Sequence, residues 1–337
     1  MHPTSITPNQ NYAVVLNANA GRMTPKLRHR IQGVIPSSKL HFTESLLHSR
    51  DVLQSCIENG CETIFAGGGD GTIVDVLNAV EEFTPEGQKK PTVGVLRLGT
   101  GNALAYWLNA SVDPVKDLEK WVSGQAHALV EAPMVEAEDT LFPFAGIGID
   151  AAIINDYNIA KEENKKKPLL KHLNKGIAGY LYAGYTRTLP EAIRKSKHHV
   201  KIINTGRPAF KIGPNGGEIG APIPTGAVVY EGEISTVTCA TTPYYGYKMK
   251  MFPFATKRKG RFQLRVVEMS PWEIGYNIYP CWNGTLRHPK LIDYYVDRVR
   301  VIFDDAMPYQ LGGEASGYRK ELTFSLNQGN HTMLQQI

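Results

Sequence analysis

The sequence predicts two joined folds: a Rossmann-like, three-layer α/β domain first, and a β-rich sandwich domain after it. Three observations predict this. Residues Thr63 to Ala66, Gly67 to Thr72 and Ile73 to Val80 read as strand, glycine turn and amphipathic helix, with Ile73, Val76, Leu77 and Val80 at helical spacing. A second unit of the same kind follows, with Thr92 to Leu96 as its strand and Arg97 to Asn102 as its turn. Beyond Gly124 the helical periodicity gives way to short alternating runs, so residues 1–126 are expected to form one domain and 127–337 the other. The last strand is left free to return to the first sheet.

Composition bounds the function. A chain of 337 residues, 42% hydrophobic and 20% charged, can bury two cores. Its net charge of +5 suits anionic ligands but is too dilute for a nucleic-acid binder, which needs a clustered basic face. Cys56, Cys61, Cys239 and Cys281 form no Cys-x-x-Cys pair and read as free thiols in a reducing compartment. Met1 to Gln10 is polar, and no window approaches about 18 apolar residues, so a cytoplasmic placement is expected.

Taken in order, Tyr12 to Leu16 is a buried strand ending in the turn Asn17 to Arg22, at the sheet edge where open α/β folds bind ligands. Pro25 to Val34 is a basic helix. Lys39 to Glu44 is a strand and its exit, carrying Thr43, and the helix that follows closes at Gly60. In the central turn, Gly67, Gly68, Gly69 and Gly71 let the backbone approach a ligand, and the helix start adds partial positive charge. The turn lacks both the Gly-Lys-Ser/Thr ending and the Gly-x-Gly-x-x-Gly spacing of the two common phosphate loops. A carboxylate inside a phosphate cradle is repulsive without a cation or a proton transfer. Asp70 therefore reads either as a partner of Mg²⁺ or as the group that orients or deprotonates a hydroxyl. In the second turn Gly99, Thr100, Gly101 and Asn102 supply amides and a hydroxyl, and two such turns at one edge can hold both ends of a triphosphate. Leu108 to Gly124 reads as one helix.

In the second half, Asp150 reads locally as the cap of a helix running from Ala151 to Ile159. The run Lys161 to Lys175, followed by a helix from Gly176 to Leu189 bearing Tyr180, Tyr182 and Tyr185, reads either as a solvated face or as a dock for an anionic membrane surface. Phe210 to Thr225 is expected to be a surface loop.

Gly68-Gly69-Asp70-Gly71-Thr72, Gly99-Thr100-Gly101-Asn102, Gly146-x-Gly148-x-Asp150 and Glu314 together resemble the diacylglycerol kinase catalytic-domain family. That family includes sphingosine, ceramide and bacterial lipid kinases, and phosphofructokinases and NAD kinases carry a similar turn more distantly. The resemblance runs from residue 12 to about residue 326. It implies a phosphofructokinase/NAD kinase-like first domain and an ATP-dependent lipid kinase that moves the γ-phosphate of ATP to the hydroxyl of a diacylglycerol or sphingoid-like lipid alcohol. It places nucleotide on Asn17, Gly21, Thr43, Gly67, Gly68, Gly69, Gly71, Thr72, Gly99, Thr100, Gly101 and Asn102. Mg²⁺ would travel with ATP and touch Asp70. Asp70 and Glu314 are the catalytic carboxylates, with Glu314 at the family's proton-acceptor position and Asp150 directed at the acceptor's polar head. The aromatic group Trp272, Tyr276, Tyr279, Trp282, Tyr294 and Tyr295 is expected in the core, with part of it lining an acyl or sphingoid pocket. A homodimer is compatible with the family.

The chain also departs from the pattern. Ala18 and Ala20 replace the proline and serine of Asn-Pro-x-Ser-Gly, Arg97 stands at a usual proline, and Gly312 stands where Asp-Gly-Glu begins. After Met251 to Ala255 come Lys257, Arg258 and Lys259, where bacterial lipid kinases place metal-binding carboxylates, so a hard cation lacks oxygen ligands there. Two alternatives stay open: a catalytically silent nucleotide- and lipid-binding member, and, less favoured by the aromatic second half, NAD kinase or phosphofructokinase-like activity.

Overall fold

Apolar runs rich in valine, isoleucine and leucine build the first sheet of the computed structural model, which describes residues 5–6, 11–164, 198–327, 329 and 331–336. The chain divides into two units, Met1–Pro133 with Gln328–Ile337, and Met134–Asn327.

In the first unit the strands are β1 (Ser5–Ile6), β2 (Tyr12–Asn17), β3 (Leu40–Thr43), β4 (Thr63–Gly68), β5 (Thr92–Arg97) and β6 (His127–Ala132), joined by the C-terminal strand His331–Gln335. Their order across the sheet is β1, β6, His331–Gln335, β5, β4, β2, β3. The ladders β2–β3, β2–β4 and β4–β5 are parallel, so the turns after β2, β4 and β5 leave the same edge. The helices are α1 (Pro25–Val34), α2 (Leu46–Glu58), α3 (Asp70–Phe83), α4 (Ala103–Trp107) and α5 (Pro114–Val122). Thr24, Ser45 and Asp113 cap α1, α2 and α5 through their side chains. The core on one side of the sheet gathers Tyr12, Phe65 and Trp121, with the Phe65 and Trp121 rings meeting edge-on at 5.1 Å.

Two expectations change here. The first unit extends past residue 126, because β6 pairs antiparallel with His331–Gln335 along five registered positions and so belongs to this sheet. The chain does return to the first sheet, through a strand beyond the expected last one. The single helix expected over 108–124 is broken: Asn109 takes φ +56°, and Pro114 restarts the helix as α5.

The second unit holds β7 (Val135–Ala137), β8 (Thr140–Phe142), β9 (Phe144–Gly148), β10 (His198–Asn204), β11 (Ala209–Ile212), β12 (Glu218–Ile223), β13 (Val228–Ile234), β14 (Thr236–Ala240), β15 (Phe262–Val267), β16 (Leu291–Val296), β17 (Arg298–Leu311) and β18 (Glu314–Leu326). They form one antiparallel sheet in the order β12, β11, β16, β15, β14, β9, β17, β18, β7, β8, with β10 bridging β13 and β17. Helices α6 (Ile149–Asn164), α7 (Pro271–Tyr276) and α8 (Ile278–Trp282) complete it. The expected surface loop 210–225 is instead largely the hairpin of β11 and β12. Between β15 and β16, Arg265 and Asp293 form a buried two-point ion pair at 2.8 and 2.9 Å, and Gln263 donates to the same carboxylate. Most of the lysine run and the whole of the helix expected over 176–189 lie outside the described residues. Among the described residues, no helix is long and apolar enough to cross a membrane.

Candidate active site

In the first unit the two glycine turns are built against each other. β4 ends at Gly68, Gly69 is the helix cap, and α3 starts at Asp70. The first intrahelical bond runs from the Ile73 N–H to the Gly69 carbonyl, so the amides of Gly71 and Thr72 precede the ladder. The turn after β5 presses on this one: a Cβ on Gly99 would lie 2.2 Å from the Gly69 Cα, a place only glycine can occupy. Asn102 adopts the left-handed conformation (φ +56°) that asparagine tolerates, and it closes its own turn. Its amide donates to the Gly99 carbonyl at 2.6 Å and its carbonyl accepts from the Gly99 N–H at 3.2 Å.

Asp70 joins the turns. Its Oδ1 accepts a 2.6 Å hydrogen bond from the Ala103 N–H at the start of α4, and its Oδ2 sits 2.5 Å from where a Gly101 Cβ would be. Thr72 accepts from Asn17 Nδ2 at 3.2 Å, which links the central turn to the turn after β2. Gly21 faces Thr100 Oγ1, and Arg22 donates its N–H to the Leu98 carbonyl and its guanidinium to the Arg97 carbonyl. Thr43 is buried and donates to the Leu16 carbonyl at 3.4 Å. A cavity of about 240 Å³ opens between Asn17, Asn19, Thr43, Thr72 and Asp75. The residues expected to hold nucleotide, Asn17, Gly21, Thr43, Gly67 to Gly69, Gly71, Thr72 and Gly99 to Asn102, thus share one edge of one sheet.

Sequence reasoning missed Asn19 and understated Arg97. Asn19 donates to the Glu44 carbonyl at 3.0 Å and lines the cavity. Arg97 lies over the Tyr106 ring at 4.2 Å and donates to its hydroxyl at 2.8 Å. Its spacing from Tyr106 across a turn gives no local signal.

The second unit carries Asp150 and Glu314. Asp150 lies in the first turn of α6, and its carboxylate accepts from Thr236 Oγ1 at 2.6 Å, Tyr245 Oη at 2.7 Å and Gln310 Nε2 at 3.3 Å. Burial pushes this carboxyl above the usual carboxylate range, although the three donors oppose the shift. Its partners lie 86, 95 and 160 residues away in sequence, which is why the spacing of residues near Asp150 did not show them. Asp150 is thus held by donors from three separate stretches of the second unit. Glu314 is exposed at the tip of the β17–β18 hairpin, directly after Gly312 and Gly313, whose φ angles of +54° and +90° make the two-residue turn. Where carboxylates were sought at 257–259, Arg258 pairs with Glu218 and Lys257 donates to the Asn215 carbonyl at 3.0 Å. Tyr294 and Tyr295 are buried as expected, whereas Trp272, Tyr276 and Tyr279 face solvent rather than a lipid pocket.

Comparison with known proteins bears on this geometry. Residues 11–132 match the family model described as diacylglycerol kinase catalytic domain. Over those residues the chain is similar to diacylglycerol kinase catalytic domains. Both glycine turns and the Asp70–Ala103 bond lie inside the matched segment. The chain is 31% identical over 161 residues to diacylglycerol kinase theta of Rattus norvegicus, covering 40% of this chain and 17% of that one. It is 38% identical over 78 residues to the Serratia proteamaculans protein named "Probable lipid kinase YegS-like", covering 23% of this chain and 25% of that one. The chain therefore spans a quarter or less of these two relatives. In fold it is similar to a crystal structure of a diacylglycerol kinase from Bacillus anthracis, with a TM-score of 0.62 over 97% of both chains at 15% identity.

Proposed function

We propose that this chain is an ATP-dependent lipid kinase that transfers the γ-phosphate of Mg·ATP to the hydroxyl of a lipid alcohol. The observation that carries the reading is the pair of glycine turns locked to each other at one sheet edge, where the Gly99 position has no room for a side chain. Such a backbone surface brings amides close to phosphate oxygens, and in phosphoryl transfer positioning and charge neutralisation supply most of the catalysis.

In this reading the amides at Gly68, Gly69, Gly71 and Gly101, with the hydroxyls of Thr72 and Thr100, hold the phosphates. Mg²⁺ arrives with the nucleotide as part of the substrate and meets the carboxylate of Asp70. Asp70 Oδ1 is engaged by the Ala103 N–H, which fixes the carboxylate plane and leaves Oδ2 on the Gly101 side. Glu314, exposed on its hairpin, accepts the proton of the attacking hydroxyl. Diacylglycerol- and sphingoid-like alcohols are the acceptor class, a reading supported by the catalytic-domain match and by the relatives' names.

The test is transfer of labelled γ-phosphate from Mg·ATP into diacylglycerols, monoacylglycerols, sphingosine and ceramide, with Asp70→Asn alongside. A labelled lipid that disappears in the variant is the expected result. One observation favours a second reading, a silent nucleotide binder: Asp70 already serves as a fastener between two turns, a role that gives a structural reason to keep it. ATP binding without any labelled lipid would make that reading the right one.

A further inference from the structure

Three of the largest exposed side chains in the second unit stand together on one short helical pair. Trp272 and Tyr276 lie on α7, and Tyr279 lies on α8, with exposures of 57%, 88% and 77%. Trp272 and Tyr276 are spaced i, i+4 on one helix, and Tyr279 follows on the next, just after the Asn277 break. The opposite side of the pair is firmly anchored. Ile274 and Cys281 pack with Val267, Met269, Leu286 and Leu291 against the sheet. Ser270 and Glu273 form a capping box, and Glu273 also binds Lys290 at 2.7 Å. The aromatic side chains are therefore presented outward by a well-packed support.

The surrounding chain is strongly basic. Residues 243–290 hold nine lysines and arginines against two acids, a larger positive excess than the +5 of the whole protein. Arg258, Arg261 and Arg265 are paired with Glu218, Asp297 and Asp293. Lys250, Lys257, Arg287 and Lys290 are exposed, and the Lys250 backbone N–H donates to the Trp282 carbonyl at the end of α8. Tryptophan and tyrosine have an apolar body and a polar tip, which suits the boundary between headgroups and acyl chains, and lysines around them are drawn to anionic headgroups.

We propose that the outward face of the 271–282 helical pair, carrying Trp272, Tyr276 and Tyr279 in a strongly basic stretch of chain, is a docking surface for an anionic lipid bilayer. It adds to the kinase reading a named membrane-contact surface, and it stands on observations independent of catalysis. Charge complementarity selects a bilayer over a second copy of this chain, because two copies meeting at this face would bring their positive excess together.

The experiment mixes the full chain, without nucleotide, with vesicles of phosphatidylcholine alone or of equal parts phosphatidylcholine and phosphatidylserine, and reads cosedimentation and tryptophan emission. The expected results are binding to the anionic vesicles, weakening with added salt, and a blue shift that Trp272→Phe removes. A Trp272→Ala/Tyr276→Ala/Tyr279→Ala variant is expected to lose roughly tenfold or more in partitioning, because less apolar surface enters the interface. Lys250→Glu/Lys257→Glu, which leaves the aromatics in place, is expected to lose at least about fivefold per charge removed. The proposal is overturned if wild type ignores anionic vesicles, or if the aromatic variant, with an unchanged melting temperature, binds them as wild type does. It is equally overturned if the patch variants abolish only self-association. Because the readout contains no phosphoryl transfer, failure here leaves the kinase reading standing, and an inactive kinase leaves this surface standing.

Discussion

Asp70 Oδ1 accepts a 2.6 Å hydrogen bond from the Ala103 backbone N–H, so one carboxylate joins the starts of two helices that follow two separate glycine turns. The contact makes charge and hydrogen bonding at Asp70 separable. Asp70→Asn can keep the acceptor while losing the charge, whereas Asp70→Ala leaves the Ala103 amide without it. Thermal unfolding should show Asp70→Asn close to wild type and Asp70→Ala about 1–3 kcal/mol less stable. Lipid phosphorylation should fall roughly a hundredfold or more in both, as expected for a group that acts on developing charge.

Gly99→Ala and Gly101→Ala separate the two turns in a second way. The first would drive a Cβ against the Gly69 backbone at 2.2 Å, the second only against the Asp70 carboxylate oxygen at 2.5 Å. Backbone cannot step aside as a side chain can, so Gly99→Ala should cost about 1–3 kcal/mol and lose the stabilisation that ATP gives in a melting experiment. Gly101→Ala should unfold nearer to wild type while losing phosphoryl transfer, because it moves the carboxylate.

In the second unit the Arg265–Asp293 pair is buried on both sides, so its partners cannot be removed singly without cost. Asp293→Ala would strand the guanidinium and the Gln263 amide that share its carboxylate. Chemical denaturation should record a loss of about 3–5 kcal/mol.

His331 brings the C-terminal strand against α3, with Nε2 at 3.2 Å from Glu81, which also binds Lys90. Burial, reinforced by Lys90 and opposed by Glu81, lowers the His331 pKa from 6.5 to about 4. A depressed histidine pKa means that the unfolded chain takes up the proton first. Stability is then full above the unfolded value and falls as pH drops from about 6.5 toward 4, by up to roughly 3 kcal/mol. Urea unfolding at successive pH values should show this slope in wild type. His331→Gln should flatten this slope, leaving the pH dependence of the other shifted groups, among them His41 and His127, whose pKa values burial lowers, and Asp150, whose carboxyl burial raises with the opposite effect.

These contacts also mark what could be read from the chain. The glycine turns, their strands and the α3 helix were legible because each is written locally, as apolar runs flanking residues with special backbone freedom. The Asn102 turn was half-legible: Gly-Thr-Gly-Asn announces a tight turn, but its locking against Gly69 comes from the parallel pairing of β4 with β5. The return of His331–Gln335 to the first sheet was not legible as a particular strand, since its partner β6 lies some two hundred residues earlier. The aromatics between 272 and 295 divided by element, with Tyr294 and Tyr295 buried in β16 and Tyr276 and Tyr279 exposed on α7 and α8, which composition alone does not distinguish.

Glu314 tests the chemistry most directly. It begins β18 opposite Leu311, after a turn whose two glycines both take positive φ, and its side chain is exposed. The turn geometry depends on Gly312 and Gly313, so replacing the carboxylate leaves the hairpin intact. Glu314→Gln should change unfolding free energy by less than about 0.5 kcal/mol. If Glu314 accepts the hydroxyl proton, kcat should fall roughly a hundredfold to ten-thousandfold. ATP binding, measured calorimetrically, should not move, because the phosphate cradle belongs to the first unit. Unchanged kcat in Glu314→Gln would remove the proton-acceptor role from this residue and leave Asp70 as the carboxylate that orients the acceptor hydroxyl.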